Sequence, residues 1–197
     1  MKKKIFVIII LISLFPTQGF SYSSDPKQFI TEVVDEAKKI LNESNSIEYK
    51  TKKISEVALK TVDIKGVAFY TLGSYRKQLN EEQLKKYLLL FEKYFLKSFT
   101  SRLTDYSDPK IEVMSAEVLN AKYTIVKSLL LATDKKPEVK IDWRVYTKNP
   151  EKPLIRDFIV EGLSLARAQK EEFTSVIESN NGDVSKLFIT LEEFINK

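Results

Sequence analysis

The sequence contains neither cysteine nor histidine. Without cysteine the chain cannot form a disulfide, carry a lipid-modified N-terminal cysteine or use a thiolate nucleophile. Without histidine it lacks the most common near-neutral general base and the most common zinc ligand. It also has no nucleophile-elbow motif and no glycine-rich phosphate loop. We therefore expect no metal, no cofactor and no enzymatic activity.

The sequence also has little net charge. Its formal charge is +5, and three of these charges are Lys2, Lys3 and Lys4 in a segment without acidic residues, which leaves +2 for the rest of the chain. Lysine and glutamate are interleaved along that remainder. Because nucleic-acid binding needs a concentrated basic surface, we exclude that function.

The N-terminal segment has the pattern of a secretory signal peptide. An apolar run covers residues 5–15 directly after the three lysines, and it is shorter than the roughly 20 residues that a membrane-spanning helix needs. The small residues Gly19 and Ser21 stand at the minus-three and minus-one positions of a signal-peptidase site. The sequence therefore predicts a cleaved signal peptide over residues 1–21 and one exported domain over residues 22–197.

The first half of this domain has helical periodicity. Asp25 before Pro26 predicts an N-cap followed by proline at the first helical position. Asn80 with Gln83 three residues later predicts a capping box before the longest and most aromatic helix. Apolar residues at spacings of three and four define the helices between these signals. The predicted helices cover residues 26–41, 46–60, 63–79 and 80–106.

The periodicity changes to alternation after residue 109, which predicts an antiparallel meander of about four strands. In the third strand Val139, Ile141, Trp143 and Val145 form one apolar face, and in the fourth Leu154, Phe158 and Val160 are predicted to share a face. The predicted strands cover residues 111–118, 122–133, 138–147 and 154–160.

Helical periodicity returns after the sheet, over residues 165–177 and 184–195. Gly162 is predicted to permit a tight turn before the first of these helices, and Ser164 to cap it. The predicted fold class is α+β, with N-terminal helices, an antiparallel meander sheet and C-terminal helices that enclose an apolar pocket.

Two blocks of sequence form a specific pattern. The first block starts at Leu72-Gly73-Ser74-Tyr75-Arg76 and includes Asn80 to Gln83, Phe91, Phe95 and residues 103–106; the second comprises Ile141-Asp142-Trp143-Arg144-Val145, Arg156-Asp157-Phe158 and residues 160–165. Both blocks resemble the MlaC family. The resemblance continues through residues 169–173 to Gly182, Leu187 and Leu191. Many relatives have a tryptophan beside the arginine at Tyr75-Arg76, and an arginine is frequent at Lys170.

The resemblance implies a periplasmic phospholipid carrier of the Mla ABC transport system, which maintains outer-membrane lipid asymmetry. Its expected partners are phospholipid, the inner-membrane Mla ABC transporter complex and the outer-membrane Mla lipoprotein complex, and we expect a monomer. The cargo could instead be a hopanoid or another apolar lipid. Two further hypotheses remain open: a periplasmic adaptor with a filled core, and a hydrolase or hard-metal site built from Asp142, Asp157 and Glu161.

The carrier hypothesis predicts a lipid-binding wall formed by the apolar sheet face and the aromatic helix. For each of these residues, plain core packing is the alternative. The predicted wall residues are Phe69, Leu72, Phe91, Phe95, Phe99, Tyr123, Ile125, Ile141, Trp143, Val145, Phe158 and Val160. Arg76 and Arg144 are predicted to flank the headgroup at the mouth, with a surface salt bridge as the alternative for either.

Overall fold

A computed structural model describes residues 21–103, 109–133 and 137–197 of the protein. The predicted signal peptide lies outside the described residues except for Ser21, and so does Tyr106 at the end of the predicted aromatic helix. The helices are α1 (Pro26–Asn42), α2 (Ile47–Thr61), α3 (Ile64–Leu72), α4 (Glu81–Leu103), α5 (Leu165–Glu178) and α6 (Val184–Asn196). The strands are β1 (Ile111–Asn120), β2 (Tyr123–Leu130), β3 (Val139–Tyr146), β4 (Leu154–Val160) and β5 (Leu163–Ser164). The α+β prediction is confirmed, with helices before and after an antiparallel sheet.

The helices begin where the sequence places their caps. The Asp25 carboxylate accepts a hydrogen bond from the Gln28 backbone N–H at 2.8 Å, with Pro26 in the first turn of α1. Asn80 and Gln83 form the predicted capping box, since the backbone N–H of each donates to the side-chain oxygen of the other at 3.0 and 2.9 Å. These side chains satisfy backbone donors that have no partner within the helix.

The helix predicted over residues 63–79 is shorter in the structure. Helix α3 ends at Leu72, and a 3-10 helix over Gly73–Gln78 follows it. Gly73 has a φ of 58°, in the left-handed region that glycine adopts without a Cβ penalty. The backbone therefore turns at this glycine, and the chain reaches the capping box of α4 without a continuous helix.

The sheet is a meander in the order β1-β2-β3-β4-β5, and all its pairs are antiparallel. The sequence predicted about four strands, and the fifth is the two-residue strand β5 against the end of β4. Glu161 and Gly162 make the turn between them with φ values of 48° and 82°. The Ser164 hydroxyl then accepts from the Arg167 backbone N–H, so the predicted turn and cap are both present.

A β-bulge in β4 corrects one predicted face. Arg144 pairs with Asp157 and Val145 pairs with Ile155, so Arg156 is an extra residue on β4. Because a bulge shifts the alternation by one residue, Ile155 shares a face with Phe158, and Leu154 lies on the other face. Ile155 is fully buried as a result.

One face of the sheet, here called the inner face, packs toward α1, α2 and α4. It carries Val126, Trp143, Val145 and Ile155, which are all buried. Helix α1 contacts β1 and β2, α5 contacts β4, and α6 contacts α4 and α5. No helix within the described part of the chain is long and apolar enough to cross a membrane.

Candidate functional site

An apolar space lies between the inner face of the sheet and helices α1 and α2. We call this space, of about 260 Å³, the sheet cavity. Helix α1 contributes Val33, Val34, Ala37, Lys38 and Leu41, and α2 contributes Ile54, Val57, Ala58 and Thr61. The sheet side and the neighbouring segments contribute Val62, Phe99, Pro109, Ile111, Leu130, Val139, Ile141, Trp143, Ile155, Phe158, Val160 and Leu165.

A second space, here called the helix cavity, lies between α4, α5 and β4 and has a volume of about 230 Å³. Its apolar wall is largely aromatic. Its other side is polar, because Arg156, Asp157, Gln169 and Glu172 also reach it. The residues that line it are Val62, Val67, Phe91, Tyr94, Phe95, Ser98, Phe99, Arg156, Asp157, Phe158, Leu165, Ala166, Ala168, Gln169 and Glu172.

The two cavities adjoin each other at Val62, Phe99, Phe158 and Leu165, which line both. The Phe99 and Phe158 ring centroids lie 5.5 Å apart, and the Phe158 centroid lies 5.0 Å from that of Trp143. Aromatic side chains therefore form both the wall and the division between the two spaces.

Helix α4 supplies this aromatic wall by its periodicity. Phe91, Phe95 and Phe99 follow one another at intervals of four residues, which places them on one face of the helix. Their rings are stacked in series, with centroids 6.3 Å apart from Phe91 to Phe95 and 5.5 Å apart from Phe95 to Phe99. Phe91 is fully buried, whereas Phe95 and Phe99 are half-buried.

Polar groups in and behind the wall of the sheet cavity form hydrogen bonds with other groups of the protein. The Trp143 indole N–H donates to the Ser128 hydroxyl at 2.8 Å, and that hydroxyl donates to the Ile141 carbonyl at 3.0 Å. The Thr61 hydroxyl donates to the Val57 carbonyl at 2.8 Å. Because these groups have partners, the wall presents hydrocarbon to the cavity, and a guest needs no matching polar atoms there.

Many of the predicted wall residues lie at these cavities. Phe91, Phe95, Phe99, Ile141, Trp143, Phe158 and Val160 line one cavity or both. Leu72 and Val145 are buried in the core and line neither cavity.

Three of the predicted wall residues lie away from the cavities. Ile125 pairs with Arg144, which places it on the outer face of the sheet, and Tyr123 lies on that same face. The Tyr123 hydroxyl accepts a hydrogen bond from Arg156 Nη1 at 3.0 Å. Phe69 is half-buried on α3, with Lys65 Nζ 5.8 Å from its ring centroid. In β2 the inner face carries Thr124, Val126 and Ser128. Because two of these three residues are polar, the sequence pattern did not indicate that they face inward.

The structure does not place the two predicted headgroup arginines at the sheet cavity. Arg144 lies on the outer face, with Nη1 3.2 Å from the Asp157 carboxylate. That buried carboxylate also accepts from the Ser164 hydroxyl at 2.6 Å and from the Ala166 backbone N–H at 3.0 Å. Arg144 thus helps to fix α5 to the sheet, and Arg76 is exposed in the 3-10 helix.

The three carboxylates considered for catalysis do not form one site. Asp157 is bound to α5 and Arg144, and Glu161 accepts a hydrogen bond from the Lys140 backbone N–H at 2.5 Å. Asp142 pairs across the sheet with Lys127 and Ile159. Within the described ranges no group of three acidic side chains could hold a metal ion.

Helices α1 and α2 provide a part of the wall that was not predicted from the sequence. Ala37, Leu41 and Val57 belong to the apolar stripes of these helices, and none of them is among the predicted wall residues. The apolar stripe is the only feature of the sequence that indicates these wall residues. It does not distinguish a helix that packs on the sheet from one that is held apart from it by a cavity.

Comparisons with known proteins agree with this architecture. The family model described as MlaC protein matches residues 31–193. The search of curated proteins gives no match. A solved structure of a phospholipid-binding protein from Ralstonia solanacearum in complex with a phospholipid superimposes with a TM-score of 0.73 at 18% identity, over 88% of this chain and 97% of that one. At this identity the likeness establishes a shared fold.

Proposed function

The chain belongs to the MlaC family, and from this we propose that it is a periplasmic carrier that binds phospholipid by enclosing its acyl chains. The observation that carries the proposal is the sheet cavity, whose described lining is apolar except for Lys38 and Thr61. The structurally similar Ralstonia solanacearum protein, which was solved with a phospholipid, supports this choice of cargo.

The energetics of acyl chains favour such a site. Each methylene removed from water contributes about 0.8 kcal/mol, so a soluble carrier must enclose long stretches of chain. Each cavity alone, at about 260 and 230 Å³, is smaller than the roughly 300–1,000 Å³ of typical ligand sites. We infer that acyl chains occupy both cavities. Because extraction from a bilayer offsets most of the gain, net binding is expected to be modest.

The other hypotheses have less support. An adaptor with a filled core has no need of two adjoining cavities. A hydrolase needs acidic groups that converge, whereas Asp157 and Glu161 accept hydrogen bonds from different segments and Asp142 pairs with Lys127 in the sheet. A hopanoid or another apolar lipid would fit the same hydrocarbon wall. The cargo assignment therefore depends on the lipid that the protein retains.

Export and partners follow from the family and the N-terminal sequence. We propose that residues 1–21 are a cleaved signal peptide and that residues 22–197 act as one monomeric domain without a cofactor. Tyr22 already belongs to the fold, since its ring packs edge-on against Phe29 and its hydroxyl donates to Glu36. The proposed partners are the inner-membrane Mla ABC transporter complex and the outer-membrane Mla lipoprotein complex.

The test is lipid mass spectrometry of protein purified from a bacterial periplasm without detergent. Ala37→Trp adds bulk inside the sheet cavity, and Lys39→Trp introduces the same side chain at an exposed position of the same helix. We expect near-stoichiometric phospholipid in the wild type and in Lys39→Trp, and a large loss in Ala37→Trp. Wild-type protein that carries no lipid, and whose melting temperature does not rise when phospholipid is added, would support the adaptor hypothesis instead.

A further inference from the structure

One charged residue lines the sheet cavity within the described part of the chain, and it is Lys38 on α1. The cavity extends to the end of the sheet where β1 and β3 begin and β2 and β4 end, because it is bordered there by Ile111, Leu130, Val139 and Val160. The Lys38 side chain is 32% exposed, so it reaches both the hydrocarbon wall and water. A lysine at such a boundary packs its methylenes on apolar surface and keeps its ammonium hydrated.

The ion pair of Lys38 is weak. Its partner is Asp35 one helical turn earlier, with Oδ1 3.9 Å from the Lys38 Nζ and a side chain that is 67% exposed. Exposed pairs of this kind contribute little to stability. Lys50 on α2 differs, because its Nζ donates to the Leu41 carbonyl at the end of α1 at 2.6 Å. A stronger anion can therefore replace Asp35 as the partner of Lys38.

A phospholipid whose chains fill the sheet cavity must leave its phosphate where the cavity meets water. An unpaired buried phosphate would cost too much free energy, whereas a phosphate beside an ammonium forms a charge-assisted hydrogen bond. Arg144 and Arg76 cannot serve here, since one is paired on the outer face of the sheet and the other lies on the 3-10 helix.

We propose that the Lys38 ammonium binds the phosphate of the carried lipid at the rim of the sheet cavity. The inference rests on the proposed function, and it adds selectivity to it. A hydrocarbon wall accepts any apolar chain, and Lys38 makes the protein prefer lipids with a phosphate over neutral lipids with the same chains.

The experiment measures uptake by the protein, purified from the periplasm after expression of the full chain, from phosphatidylcholine vesicles. The vesicles contain either fluorescent phosphatidylglycerol or fluorescent diacylglycerol with identical chains. The variants are Lys38→Gln, Lys38→Arg and, as a matched control on the adjacent exposed position, Lys39→Gln. We expect Lys38→Gln to take up about tenfold less phosphatidylglycerol, as for the loss of one hydrogen bond to a charged group, with diacylglycerol uptake unchanged.

We expect Lys38→Arg and Lys39→Gln to behave as the wild type. Equal uptake of phosphatidylglycerol by Lys38→Gln and the wild type would overturn the proposal, and so would an equal loss of both lipids in Lys38→Gln. If inorganic phosphate raises the melting temperature of the wild type but not of Lys38→Gln, while lipid uptake is the same in both, the site binds free phosphate instead. Wild-type protein that takes up neither lipid would contradict the proposed function itself.

Discussion

The rings of Phe99 on α4 and Phe158 on β4 lie 5.5 Å apart between the sheet cavity and the helix cavity, and both residues line both spaces. Each ring is half-buried although it is surrounded by core elements. These two aromatic side chains therefore form part of the division between the cavities. This arrangement makes the pair a determinant of how much acyl chain the protein encloses.

Phe99→Ala is expected to join the two cavities. The substitution removes the ring from the division and costs stability, by about 3 kcal/mol for a phenylalanine truncated in a core. We expect the lipids that co-purify with the variant to have longer chains, or more chains per protein, than those of the wild type. Lipid mass spectrometry of detergent-free protein measures both.

The matched control for this experiment is Leu89→Ala, which truncates an exposed residue on the same helix. It is expected to leave the lipid profile unchanged. An identical chain profile for folded Phe99→Ala and the wild type would mean that the ring pair does not limit the space available to the cargo.

Trp143 is the one tryptophan of the chain, and it lines the sheet cavity. Its fluorescence therefore reports on occupancy without a label. Exchange of the cargo for phospholipid with brominated chains is expected to quench this emission, because bromine would come into contact with the indole. Brominated lipid that leaves the emission unchanged while mass spectrometry detects it on the protein would place the chains outside the sheet cavity.

The Asp157 carboxylate joins β4 to the start of α5, and its truncation should therefore be costly. It is buried, lies 3.2 Å from Arg144 Nη1 and accepts hydrogen bonds from Ser164 and Ala166. The Arg144 side chain is 34% exposed, so the pair is only partly buried, but Asp157→Ala also removes the acceptor for Ser164 and Ala166. Hydrogen bonds to a charged group contribute about 1.5–3 kcal/mol each, and we therefore expect the variant to be destabilised by about 3 kcal/mol. Urea unfolding followed by far-UV circular dichroism measures this change.

Glu117→Ala provides the comparison, since Glu117 forms an exposed pair with Lys127 at 3.0 Å. Its loss is expected to cost no more than about 1 kcal/mol. Similar midpoints for the two variants would mean that Asp157 contributes no more to the fold than a surface carboxylate does.

The sequence predicted the elements better than it predicted their faces. Caps such as Asp25 and Asn80 are local chemistry, and the structure contains both. The bulge at Arg156 is not local, because the extra residue is defined only against Arg144 on the neighbouring strand. The outward position of Ile125 depends on the register in the same way. Register errors of this kind exchange the wall of the cavity with the outer surface.

The site could be predicted only in part, for a related physical reason. The aromatic series of α4 is visible as a period of four, and Phe91, Phe95 and Phe99 do line cavities. Lys38 looks like any lysine near the end of an amphipathic helix, and its position at a cavity rim depends on how far α1 stands from the sheet. Arg144 was predicted to flank the headgroup because its partner, Asp157, lies on another strand and the sequence does not show that the two form an ion pair.

Ionisation of the buried Tyr87 hydroxyl is expected to make the stability of the protein depend on pH in the alkaline range. The Tyr87 side chain is fully buried, and its hydroxyl donates to the Ala68 carbonyl at 3.1 Å and lies 3.0 Å from the Thr71 hydroxyl. Burial raises the pKa of Tyr87 far above its ordinary value of about 10. Above about pH 10 the phenol ionises in the unfolded chain while it stays protonated in the folded protein. The unfolded state then binds fewer protons than the folded state, so stability falls as pH rises.

Once the pH exceeds the pKa of Tyr87 in the unfolded chain, we expect this one group to lower the free energy of unfolding by up to about 1.4 kcal/mol per pH unit. Tyr87→Phe removes the titration, so its free energy of unfolding should fall less steeply between neutral and alkaline pH, although its stability at neutral pH is lower by about 1 kcal/mol for the lost hydrogen bond. Urea unfolding at a series of pH values gives both slopes. Tyr70→Phe, at an exposed position, is the control for removing a tyrosine hydroxyl. Parallel slopes for the wild type and Tyr87→Phe would show that Tyr87 ionises as readily in the fold as in the unfolded chain, which contradicts its burial.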